Sequence, residues 1–209
     1  MSTVASAQRL CTCPKEQSSA ATVDKSFRFN SGRTIKLCGY KEMVDSEIVF
    51  SEFELKDCTS GKLVAEWGAV SKCQLEYVND TLVLSELFIL PVGENFKYKL
   101  SPFQRHKFFA TRKGISKTVF YDTGCIYYSK EQVRLSVDTF HRAKKGNTEN
   151  NIEIAERLFC SFVSGSIEAE RCLKEVPVKL GPFDGAIAEQ WNILWDLYLQ
   201  YSKSLQTNR

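Results

Sequence analysis

The chain is poor in the features that most often announce a function. No apolar run approaches the roughly 18 to 20 residues of a membrane-spanning helix. The longest candidate, Leu82 to Val92, is broken by Ser85, Glu86 and Pro91. Histidine is scarce, with only His106 and His141. Beyond the close pair Cys11-x-Cys13 the cysteines are scattered, so the roughly four clustered ligands of a structural zinc site are missing and no metal is expected. Gly61-Lys62 has neither the earlier glycine nor the following hydroxyl residue of a phosphate-binding loop. No Gly-x-Ser-x-Gly elbow marks a hydrolase nucleophile, and no internal repeat announces a solenoid. No cofactor is expected either.

What is present suits a globular chain. Its 209 residues, 43% of them hydrophobic, suffice for one generous domain or two small ones. Eight cysteines, at 11, 13, 38, 58, 73, 125, 160 and 172, are even in number and many for a reducing compartment. Their connectivity is not readable among about a hundred complete pairings. One pair is favoured: Cys160 and Cys172 flank Ser164-Gly165, a short turn between two predicted helices, and an antiparallel helical hairpin brings them within the roughly 5.5 to 6 Å Cα separation of a bridge. Ala5-Ser6-Ala7 fits the small-x-small rule for signal-peptide cleavage, with Gln8 as the mature start, although the basic and apolar regions of a complete signal are lacking. The expectation is a secreted, periplasmic or cell-envelope protein.

Residues 1–25 read as an export-signal remnant and flexible leader, ordered only if Cys11 or Cys13 tethers it. From 26 to 124 the pattern is one of short strands with turn signals every eight to fifteen residues or so, the rhythm of an antiparallel layer. Its spine is the hairpin around Asn79-Asp80, where Cys73, Leu75 and Tyr77 alternate with polar residues and Thr81 to Leu90 is apolar on both faces, as in a central strand. After Gly124 the period changes. Ser129 and Gln132 form a capping box ahead of a helix. A second helix follows over residues 151–163, a third begins at Ser166 and ends before Pro177, and Asp184 opens a last, aromatic helix to about Ser204. The aromatic stripe of that helix is expected to be core. The fold class is therefore α+β: an N-terminal antiparallel β-sandwich or barrel-like sheet, then a bundle of three or four helices over residues 125–209 packed on it.

Charge provides the one candidate contact surface. Phe96 to Tyr121 contains seven Lys and Arg residues and no Asp or Glu. Ten basic and thirteen acidic residues precede it and eleven and twelve follow, so the whole net charge of +3 originates there. Lys97 and Lys99 alternate with Phe96, Tyr98 and Leu100, which on a strand sets a basic face above an apolar one. Lys97, Lys99, Arg105, Lys107, Arg112, Lys113 and Lys117 are thus the candidate binding residues, suited to an anionic glycan, a lipid headgroup or an acidic protein surface. Lysine that merely guards a sheet edge produces the same pattern. Nucleic acid is disfavoured because no recognition motif accompanies the charge. The expected function is that of a non-enzymatic binding protein. The alternative is a hydrolase, using the carboxylates Glu52 and Glu54 or a Cys125 nucleophile with His106 or His141, and it requires at least two of these residues to share a cleft.

Overall fold

A computed structural model describes residues 11–13, 22–44, 46–69, 71–146 and 148–207. The chain divides into two compact units, Met1–Leu87 with Gln104–Phe120 and Phe88–Phe103 with Tyr121–Arg209. The expected signal remnant at Ala5-Ser6-Ala7 lies outside the described residues.

Among the described residues eight strands come first: β1 (Thr22–Arg28), β2 (Thr34–Val44), β3 (Glu47–Asp57), β4 (Lys62–Trp67), β5 (Lys72–Val78), β6 (Thr81–Leu90), β7 (Lys99–Thr111) and β8 (Gly114–Tyr121). They form one antiparallel sheet in the order β1-β2-β3-β5-β6-β7-β8, with β4 paired to β3 off this path. The class is α+β with the sheet first. The expected doubling into a sandwich or closure into a barrel is not made by strand pairing, since β1 and β8 are left as ends.

Alternating apolar residues explain the sheet unit. Phe27, Ile35, Leu37, Leu55, Leu84 and Phe108 are among the side chains that close its core, each worth about 1.5 to 3 kcal/mol of burial. The β5–β6 turn is made by Asn79 and Asp80 with φ of 48° and 59°, the left-handed pair that a two-residue hairpin requires. Leu82, Leu84 and Leu90 are buried as expected. The opposite face of β6 is less covered than the sequence suggests, with Ile89 64% exposed. Between β2 and β3 the register slips after Cys38, so Glu52 and Phe53 both oppose Gly39. Glu52 takes φ 44°, and a Cβ on Gly39 would lie 2.2 Å from that of Phe53. Only glycine fits this bulge.

Two cysteine pairs sit at disulfide distance in the same unit. Cys11–Cys58 and Cys13–Cys38 have Cα separations of 5.0 and 5.4 Å. Both members of Cys11-x-Cys13 are therefore tethers, each to a different part of the sheet.

Four helices follow among the described residues: α1 (Lys130–Arg142), α2 (Thr148–Val163), α3 (Ile167–Lys179) and α4 (Gly185–Thr207). The capping box forms as read, with Gln132 N donating to Ser129 Oγ at 3.2 Å and Ser129 N to Gln132 Oε1 at 3.0 Å. α3 runs through Pro177 instead of ending before it, at the cost of the single bond that its missing N–H would have given the Leu173 carbonyl. Phe103 meets Phe159 at 5.6 Å and Tyr201 at 5.4 Å in the middle of this unit's core. The stripe of α4 is largely core too, with Leu194, Leu197, Tyr198 and Tyr201 buried.

The pair favoured as a bridge, Cys160 and Cys172, stands as two buried thiols. Their side chains serve different neighbours: Cys160 interacts with Tyr128 and Glu156, while Cys172 Sγ lies 4.0 Å from His141 Nε2. Closeness to the turn was not enough, because a bridge also needs the two Cβ vectors to converge.

Candidate anion-binding face

β7 and β8 are joined by the exposed pair Arg112–Lys113, and Thr111 Oγ1 donates across the turn to the Gly114 carbonyl at 2.9 Å. Along β7, Gln104, His106 and Phe108 are buried. Arg105 and Lys107 take the other face, as strand alternation requires. The Lys107 ammonium lies 4.5 Å from the centre of the Phe120 ring. Lys117 behaves differently: its ammonium rests 5.1 Å from the Trp67 ring and 5.8 Å from that of Phe108, and burial pulls its pKa down against the raising influence of Glu86. Phe108 and Lys107 are consecutive and point oppositely, so Lys117 and Lys107 occupy opposite faces of the hairpin.

The seven candidate cations are therefore divided. Arg105 and Lys107 share a face, Arg112 and Lys113 crown the turn, and Lys117 folds onto aromatic rings. Lys97 and Lys99 belong to the helical unit. The expected strand over residues 96–100 forms only from Lys99 on, after a short 3-10 turn, Glu94–Phe96. Phe96 is held by its ring contact with Tyr128 at 5.4 Å and by the Arg157 guanidinium 4.3 Å above it.

Beside Lys117 is a polar cluster that the sequence reading passed over. Glu86 Oε1 accepts from Trp67 Nε1 at 2.8 Å and lies 2.5 Å from His106 Nε2. Burial alone would raise its pKa. The hydrogen bonds from His106 and Trp67, with the charges of His106 and Lys117, outweigh burial and hold the carboxyl below its ordinary 4.5. An ionised carboxylate only accepts, so His106 Nε2 carries a proton. Nδ1 of the same ring, in a side chain 4% exposed, has no hydrogen-bond partner among the described residues. Cys73, directly opposite Glu86 in the β5–β6 ladder, is driven far above the thiol range by burial and by the Glu86 charge. It is therefore no nucleophile.

The helical unit holds a contrasting carboxylate. Tyr98 donates from its hydroxyl to Glu156 Oε2 at 2.6 Å. Burial pushes the Glu156 carboxyl up to about 7, with the Glu153 charge adding to the rise and Tyr98 and Arg157 opposing it. Arg157 is engaged with Glu153 at 3.5 Å. The sequence did contain one signal for each site: Glu86 and His106 each interrupt an inward-facing series, and Glu156 follows Ala155 at the border of an apolar helical stripe.

The groups named for hydrolysis are dispersed. Glu52 is exposed in the bulge and Glu54 pairs with Lys56. His106 pairs with Glu86, His141 faces Cys172, and Cys125 donates to the Asp122 carbonyl at 3.0 Å. Among the described residues, no group of three or more His, Cys, Asp or Glu is placed to hold a metal. No described helix is long and apolar enough to cross a membrane. The chain matches no protein-family model, no curated protein and no solved structure.

Proposed function

We propose that this chain is an exported, non-enzymatic binding protein that engages an anionic partner through the β7–β8 hairpin. One observation carries the reading. Arg105, Lys107, Arg112, Lys113 and Lys117 fall on a single hairpin whose sequence, Lys99 to Tyr121, contains no carboxylate. With no carboxylate of its own, the hairpin presents Lys107, Arg112 and Lys113 as a positive surface that attracts an anion, an attraction that physiological salt screens over about 8 Å. Half-buried Phe109 and Phe120 on the Lys107 face add apolar contact around the charge.

Export is supported by the two cysteine pairs at bridging distance, since such bridges persist in oxidising compartments. The scaffold itself reads as barrel-like though open: Phe27 of β1, Leu55 of β3, Leu84 of β6 and Phe108 of β7 share one core, so strands distant in the order converge.

The test is retention of the disulfide-intact protein on immobilised heparin. Lys107→Glu, Arg112→Glu and Lys113→Glu together are expected to lower the eluting salt concentration well below that of the wild type, with an unchanged far-ultraviolet circular dichroism spectrum. Unchanged elution overturns the reading.

A further inference from the structure

Among the described residues, three strands have a single neighbour in the sheet: β1, β4 and β8. Unpaired edges invite further strands, and proteins usually guard them with charge. The three are not alike. β1 carries Asp24 and β4 carries Glu66, whereas β8, GISKTVFY, has no acidic residue and no proline. Its middle residues Lys117, Thr118 and Val119 are all exposed. Since successive residues point to opposite faces, Thr118 leaves one face open and Val119 part of the other, where Lys117 lies over aromatic rings. The one lysine inside β8 does not stand guard over the backbone, because its ammonium lies on the Trp67 and Phe108 rings. Two other cations flank the edge: Lys113 at its start and Lys107 on the adjacent strand.

From these features we infer that β8 is a docking edge for an extended acidic polypeptide, which adds to the sheet as a further antiparallel or parallel strand. The inference rests on the hairpin being an anion-binding surface and specifies the partner's class. Main-chain hydrogen bonds along β8 supply affinity, and alternate side chains supply selection. Acidic residues of the partner meet Lys107 and Lys113. Apolar ones, on the opposite face of the added strand, meet Val119, 44% exposed. A flexible anionic glycan or a lipid headgroup satisfies the charge but has no amide ladder to offer.

The experiment uses the full, disulfide-intact chain and three probes: an end-capped nine-residue peptide alternating glutamate with valine and threonine, the same peptide N-methylated at alternate amides, and heparin. Binding is measured by calorimetry, and amide exchange by mass spectrometry locates it. The expected result is that the parent peptide binds about tenfold or more tighter than its N-methylated form, with new protection in residues 114–121. Equal binding of the two peptides overturns strand addition while leaving the anionic surface standing, as does heparin binding with no peptide binding. Protection confined to β1 or β4 overturns the choice of edge. Failure of all three probes overturns both the docking edge and the anionic reading.

Discussion

Glu86 and Glu156 are both carboxylates drawn out of water, one in each unit, and they finish on opposite sides of the ordinary carboxyl value of 4.5. Glu86 has an indole N–H, an imidazole and a nearby ammonium turned toward it. Glu156 has a single phenol, a neighbouring acid in Glu153, and an arginine shared with that acid. Burial is common to both, so donors and charge decide the outcome. The cysteines repeat the contrast. Four of them stand at bridging distance in the sheet unit, where Cys73 alone stays a buried thiol, while Cys125, Cys160 and Cys172 of the helical unit are all thiols. The sheet unit compensates what it constrains, whereas the helical unit relies on packing.

The sharpest way to break this comparison is through the bridges. Replacing Cys11, Cys13, Cys38 and Cys58 by serine is expected to cost the sheet unit about 3 to 5 kcal/mol. Amide exchange should show the loss in residues 22–87 and 104–120, with the helical unit far less affected. Equal loss in both units dissolves the contrast. Next, His106→Leu leaves Glu86 with one fewer donor in a buried setting and is expected to destabilise by about 2 to 4 kcal/mol in urea unfolding. A cost below about 0.5 kcal/mol would mean that water already serves Glu86.

The smallest effect is one of pH. The folded-state pKa of Glu156, about 7, lies above its ordinary 4.5. Its favourable contribution is therefore complete below 4.5 and lost as pH rises through 7. Glu86, held below 4.5, does the reverse, keeping its contribution above that value and losing it on further acidification. Glu156→Gln should flatten the decline in stability between pH 5 and 8 and leave the variant roughly 2 kcal/mol more stable at pH 8, the full shift being discounted for residual solvent access. A pH profile parallel to the wild type contradicts the assignment.

Much of the architecture was legible because period and punctuation are local properties. Ser129 with Gln132, Asn79 with Asp80, and the stripe of α4 each specify their own geometry. The bulge was less visible, since the need for Gly39 comes from Phe53 on another strand. Pro177 misled because the loss of one N–H bond does not by itself end a helix. The candidate site was legible as charge but not as a surface. Alternation was correct along β7, yet only contacts with Trp67, itself on β4, show that Lys117 turns to the opposite face from Lys107. The Glu86–His106 and Tyr98–Glu156 pairs join residues 20 and 58 positions apart, separations over which no local pattern speaks. The Cys160–Cys172 expectation failed for the same reason, because spacing gives proximity and not direction.

Cys11 and Cys13 reach across the chain to residues 58 and 38. One proteolytic cut anywhere between Cys13 and Cys38 leaves two covalent links across the gap, and one between Cys38 and Cys58 still leaves one. A protease can thus nick the first three strands without releasing a fragment, and the damage stays hidden on a gel until a reductant is added.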